Sequence, residues 1–298
     1  MSSKAFFLVF LSSILVSCTI LIHPAYADTF NDYQSATFLA KISEVKVETS
    51  LIATHAGNKD ALNYYENLLN KYWTLNDTRE LALRNPQLAG LISAAINDTI
   101  SEAQDDNGDK AYSDYFDIAG YMEQAGVVRV DPTPLNNATI QAMAISMVLR
   151  ESLERYGDAI NSPQLANISP DMSNAVQSNS AIPTGKQKIV NEFAYENSKE
   201  LSDEASQMFD QFITHNYNGV YNDKISSFMT KYVSDLGSAA DPNTLVSDVV
   251  TGIYPNFVTG YGMNLESIPE FPIPLLAVVA MISAAIAITR FDLKKVFP

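Results

Sequence analysis

Residues 61–73 read ALNYYENLLNKYW, and their spacing decides the fold class. Ala61, Leu62, Tyr65, Leu68, Leu69, Tyr72 and Trp73 recur at i, i+3, i+4 and i+7, which gathers apolar side chains along one stripe of a helix. A start signal follows at Asn85-Pro86, an N-cap residue ahead of a proline at the first helical position, with Leu88, Leu91, Ile92, Ala95 and Ile96 as the stripe behind it. Further along, Leu201, Ala205, Met208, Phe209, Phe212 and Ile213 form another stripe, and Tyr221, Ile225, Phe228, Met229, Tyr232 and Leu236 a third. Asp241-Pro242 repeats the start signal before Leu245, Val249 and Ile253. Only Val127–Val130 reads as extended, and Asp131-Pro132 closes it. The expected class is all-α, a helical bundle or stacked helical hairpins, with a C-terminal transmembrane helix.

Composition sharpens this. The chain has 298 residues, 47% hydrophobic and 18% charged, with one cysteine and a formal net charge of -15. It is too apolar to be disordered. The first 27 residues carry only Lys4, and the residues after Pro272 carry +2, so residues 28–272 hold about -18 of net charge. Such a body repels phosphate backbones, and no nucleic-acid partner is expected.

Both ends are apolar. Lys4 precedes AFFLVFLSSILVSCTILI, and Ala25-Tyr26-Ala27 places small residues at the two positions a signal peptidase reads, ahead of Asp28. Residues 1–27 are therefore expected to be a cleaved signal peptide. The run also has the length of a spanning anchor, and Leu15-Val16-Ser17-Cys18 resembles a lipobox. Cleavage after Ala27 leaves no cysteine, which excludes disulfides, thiolate metal sites and cysteine nucleophiles together. Roughly 240 exported residues are enough for a core without disulfides. The expected organisation continues with an N-terminal helical lobe (28–159), a Ser/Asn/Pro-rich linker (160–185) and a C-terminal helical lobe (186–258). A juxtamembrane segment (259–272) and a transmembrane segment with a basic tail (273–298) complete it.

The juxtamembrane segment carries Pro269-Glu270-Phe271, ahead of the apolar run from Ile273 to Thr289 and the basic Arg290, Lys294 and Lys295. That order resembles the PEF or PEFG C-terminal sorting signals of archaeal surface proteins, with Pro272 standing where the PEFG form has glycine. The resemblance implies recognition by a membrane transpeptidase of the archaeosortase type and localisation at the cell surface or in the pseudoperiplasm. The basic tail places the C-terminus on the cytoplasmic side.

Several side chains are candidates for chemistry. Arg150-Glu151-Ser152-Leu153-Glu154 resembles the R-E-x-x-E motif of high-affinity iron permeases. The resemblance implies that Glu151 and Glu154 offer hard oxygen ligands to ferric iron. The polar Arg155-Tyr156-Gly157-Asp158 that follows excludes a spanning helix here, and the competing expectation is a solvated charged face. His55 and His215 are the histidines outside the signal segment, candidates for metal ligation with Glu44 or Glu204, or else partly exposed helix-end residues stabilised by the dipole. They sit at equivalent places in a weak internal repeat. At an offset of 160, Glu44, Thr54, His55, Asn58, Lys71 and Tyr72 meet Glu204, Thr214, His215, Asn218, Lys231 and Tyr232. Gly57-Asn58-Lys59 through Tyr72 to Asn85-Pro86-Gln87-Leu88 resembles the exported helical domains that accompany some iron permeases.

The acidic turn Asp105–Asp109 invites a calcium reading, but Ala103 stands where the first EF-hand ligand belongs. Met143, Met147, Met208 and Met229 fall on helix stripes and read as core rather than as a copper site. Asn76, Asn97, Asn137 and Asn167 head glycosylation sequons, at the frequency chance supplies. No nucleophile elbow, phosphate loop or dinucleotide fingerprint is present. The expected function is a non-enzymatic, membrane-anchored interaction or envelope module of the cell surface, without a cofactor. The alternative is an extracytoplasmic metal-binding accessory for iron or copper uptake, with calcium a further candidate ion.

Overall fold

The computed structural model describes residues 30–167, 182–214 and 219–263. The signal positions Ala25 and Ala27, the motif Pro269–Phe271, the apolar C-terminal run and His215 lie outside the described residues. Among the described residues the secondary structure is all helical, as the stripes predict. None of these helices is long and apolar enough to cross a membrane.

Helix α1 (Asp32–Thr54) opens on a capping box between Asn31 and Gln34. It is buried on every side, from Ala36 and Phe38 through Val45 and Glu48 to Ile52. Helix α2 (Lys59–Tyr72) is capped by Asn58 and buries Ala61, Leu62, Tyr65, Leu68, Leu69 and Tyr72. Helix α3 (Leu75–Arg84) is capped by Thr74 with Asp77 answering. Helix α4 (Pro86–Gln104) starts where Asn85 accepts the Leu88 N–H at 3.0 Å. A tight turn at Asp105–Asn107, with Asp106 at φ +59°, leads into α5 (Gly108–Arg129). Asp109 to Asp117 are therefore wound into helix rather than arranged as a cation loop, and Asp114 is bonded to Lys110 one turn away.

Val127–Val130 departs from expectation. Helix α5 continues to Arg129, and only Val130, its cap, is extended. Three valines raise strand preference, but no strand exists among the described residues to pair with them, and burial of Gly126, Arg129 and Val130 selects the helix. Asp131 then starts the short α6 (Pro132–Leu135).

Helix α7 (Ala138–Ala159) is, like α1, enclosed on all sides. The chain beyond it folds back so closely that a Cβ on Gly157 would lie 2.4 Å from the Ala166 backbone N. Helix α8 (Glu192–Met208) runs on through a π-helical turn, Phe209–Thr214. Helix α9 (Asn222–Gly237) is followed by α10 (Pro242–Ser247), capped by Asp241. A second π-helical turn, Asp248–Ile253, joins α10 to α11 (Tyr254–Tyr261). In that turn Gly252 lets the backbone meet the Phe228 ring, where a Cβ would sit 2.4 Å from Cδ1.

Helix α7 packs on α1 and α8, and α1 packs in turn on α2, α4, α5 and α8. Residues of both expected lobes thus share one body, which ends at Met263. Met143, Met147, Met208 and Met229 are all buried in its core.

Candidate functional site

The apolar run AMAISMVL forms the first half of α7 and carries the R-E-x-x-E string into the interior behind it. The expectation of a solvated face is corrected here. Glu151 is 4% exposed, Glu154 is half-buried, and Arg155 is buried. The reason is tertiary: α2 ends against this turn and brings Lys71 and Tyr72 onto it. Tyr72 O–H and Arg155 Nη2 both donate to Glu151 Oε1, and Lys71 Nζ lies 3.2 Å from the same oxygen. Arg155 also donates to the Tyr72 hydroxyl oxygen at 3.1 Å and to Asp158 at 2.8 Å. Arg150 Nε is 3.4 Å from Glu154 Oε1.

Helix α1 faces this turn with Glu44 and Glu48, one helical turn apart and both buried. Glu48 Oε1 accepts from Asn197 Nδ2 of α8 at 2.7 Å, and its other oxygen has no partner. Beside the carboxylates, Ser152 Oγ donates to the Ser198 carbonyl at 2.7 Å, and Ser198 Oγ returns the bond to the Ser152 carbonyl at 2.7 Å. Tyr232 O–H completes the contact, 2.8 Å from Ser152 Oγ.

These surroundings split the carboxyl groups by charge state. Burial would raise the Glu151 carboxyl, but Arg155, Lys71 and the Tyr72 hydroxyl outweigh it and hold it at about 2. Burial, then the Glu151 charge, pushes Glu44 up to about 8. Burial pushes Glu48 up to about 8 against the Asn197 hydrogen bond. Burial and the Glu151 charge raise Glu154 to about 7. Near neutral pH the cluster therefore holds one firmly ionised carboxylate, matched to Lys71 and Arg155, and carboxyl groups that retain protons. A cation at Glu151 must displace these donors. Among the described residues no group of three or more His, Cys, Asp or Glu side chains is arranged to hold a metal ion.

The remaining candidates disperse. His55 caps α1, as a helix-end histidine should, and its Nε2 lies 2.7 Å from Glu196 Oε2 of α8, not against either α7 glutamate. Its ring packs 5.4 Å from that of Tyr65, whose hydroxyl donates to the same Glu196 oxygen at 3.0 Å. Glu204 pairs with Lys46 at 2.9 Å. Asn76, Asn97 and Asn167 are exposed, whereas Asn137 is half-buried and caps α7. Sequence reasoning missed Glu48, Tyr72 and Asn197 as members of the cluster. The available signal was Glu44 and Glu48 at i, i+4 inside the apolar run of α1.

A second feature is a partly enclosed cavity of about 290 Å³ between α1, α5, α7 and α8. Leu39, Ile42, Val127, Leu135 and Met208 supply its apolar wall, and Asn136, Gln141, Gln207 and Gln211 its amides. Ser43 is the one hydroxyl in the described lining, bonded to Met208 Sδ at 3.2 Å, and that lining has no histidine or cysteine. No protein-family model, curated protein or solved structure matches the chain.

Proposed function

We propose that this chain is an exported, non-enzymatic binding module of an archaeal-type cell surface, held at the membrane through its C-terminal segment. The observation that carries the binding reading is the contrast between its two interior features. The charged groups around Glu151 pair with one another, with Glu151 taking three donors on one oxygen. The cavity is lined instead mainly by apolar and amide groups, with Lys46 paired to Glu204 and Glu123 on its exposed side, and its described lining holds no histidine or cysteine. Export and anchoring rest on the A-Y-A site before Asp28, the Pro269-Glu270-Phe271 motif, the apolar run and the basic tail. An archaeosortase-type enzyme is the processing partner this implies. Protease treatment of intact producing cells tests the placement. The module is expected to be digested while cytosolic markers survive, and protection of the chain until lysis contradicts it.

The alternative, a metal-binding accessory for iron or copper uptake, rests on the R-E-x-x-E string from Arg150 to Glu154. It requires Lys71 and Arg155 to leave Glu151 when metal enters. Stoichiometric iron or copper after loading, lost in Glu151→Ala/Glu154→Ala, supports this reading, and no retained metal excludes it.

A further inference from the structure

We propose that the cavity between α1, α5, α7 and α8 binds a small organic amine with an apolar body, whose N–H donates to Gln141 Oε1. The inference rests on the binding-module reading and names the ligand class of that module's cavity.

Gln141 carries it. This side chain is 2% exposed and lines the cavity. Its Nε2 donates to the Leu135 carbonyl at 2.6 Å, which fixes the amide so that Oε1 remains an acceptor. That oxygen is buried and has no hydrogen-bond partner. A buried acceptor left unpaired is costly, and a donor from a ligand removes the cost. The apolar wall of Leu39, Ile42, Leu135 and Met208 favours a ligand with an apolar body.

Charge selects against anions. Lys46 is already neutralised by Glu204 at 2.9 Å. Glu123 also lines the cavity, on the exposed side of α5, and has no ion-pair partner among the described residues. The lining therefore carries one uncompensated negative charge, which favours an ammonium or neutral N–H donor and repels a carboxylate.

The test is calorimetric titration of the full chain in detergent, corrected with protein-free micelles. Phenethylamine is the probe, and phenylacetate is its anionic counterpart with a similar apolar body. Saturable one-to-one binding of phenethylamine is expected, with phenylacetate weaker by about tenfold or more. Gln141→Leu, which keeps the bulk and removes the acceptor, should weaken phenethylamine by about tenfold. Val127→Trp starts from a residue that is 65% exposed, so it narrows the cavity without touching the core. It should weaken binding similarly while melting is unchanged, and it decides the matter if Gln141→Leu fails to fold. No saturable binding, equal binding of phenylacetate, or binding that Val127→Trp leaves intact overturns the proposal. Failure here in a chain that surface proteolysis digests removes the amine site alone. A chain protected in intact cells removes the surface reading, whatever it binds.

Discussion

At the scale of single residues, the interior glutamates set the pH response. Glu44 and Glu48, raised to about 8, keep protons in the folded state that the unfolded chain releases near its ordinary carboxylate range. Their contribution is complete below that range and is lost as pH rises towards 8, with Glu154 following through about 7. Glu151, held at about 2, acts oppositely: its contribution is present above the ordinary range and is lost as pH falls towards 2. Stability should therefore peak near pH 5. Thermal melts are expected to show a decline of about 5 °C or more between pH 5 and pH 8, and a flat or rising trend contradicts the assignment. Glu48→Gln preserves the acceptor for Asn197 and cannot ionise, so it should raise the melting temperature at pH 8 and have little effect at pH 5. Glu151→Ala leaves Arg155 and the Tyr72 hydroxyl without their common acceptor and should cost about 3 kcal/mol in denaturant titration. Little of this was legible in the sequence. The string Arg150–Glu154 was visible, but its burial comes from Lys71 and Tyr72, some 80 positions earlier. Local pattern carries no information about such a partner.

At the scale of elements, start signals were the most readable feature. Asn85-Pro86 and Asp241-Pro242 open α4 and α10 because a side-chain acceptor and a fixed φ are local properties. Asn85→Ala should accordingly lower stability by about 1 kcal/mol, measured by urea unfolding; an unchanged midpoint contradicts the cap. Val127–Val130 misled because strand preference is realised only with a neighbour to pair. The π-helical turns at Phe209–Thr214 and Asp248–Ile253 had no signature in the stripes, since Phe209, Phe212 and Ile213, and Leu245, Val249 and Ile253, keep the three- and four-residue spacing of an α-helix. Close approaches were equally hidden. Gly157→Val should destabilise strongly, by about 2 kcal/mol or more, because its side chain meets the backbone of Leu165 and Ala166 rather than a movable side chain.

At the scale of the whole molecule, α1 and α7 are shared by everything around them. At the offset of 160 the start of α1 at Asp32 meets the start of α8 at Glu192. Tyr72 reaches Glu151 and Tyr232 reaches Ser152, so equivalent tyrosines meet adjacent residues of the central helix. Because Tyr72 belongs to the expected first lobe and Tyr232 to the second, residues 30–263 should unfold in one transition by circular dichroism and fluorescence alike. Two separated transitions contradict a shared core. The proposed placement at the cell surface is tested by the intact mass of the chain recovered from its producing cells. A membrane-associated species beginning at Asp28 is expected. A cytosolic species with the mass of all 298 residues contradicts it.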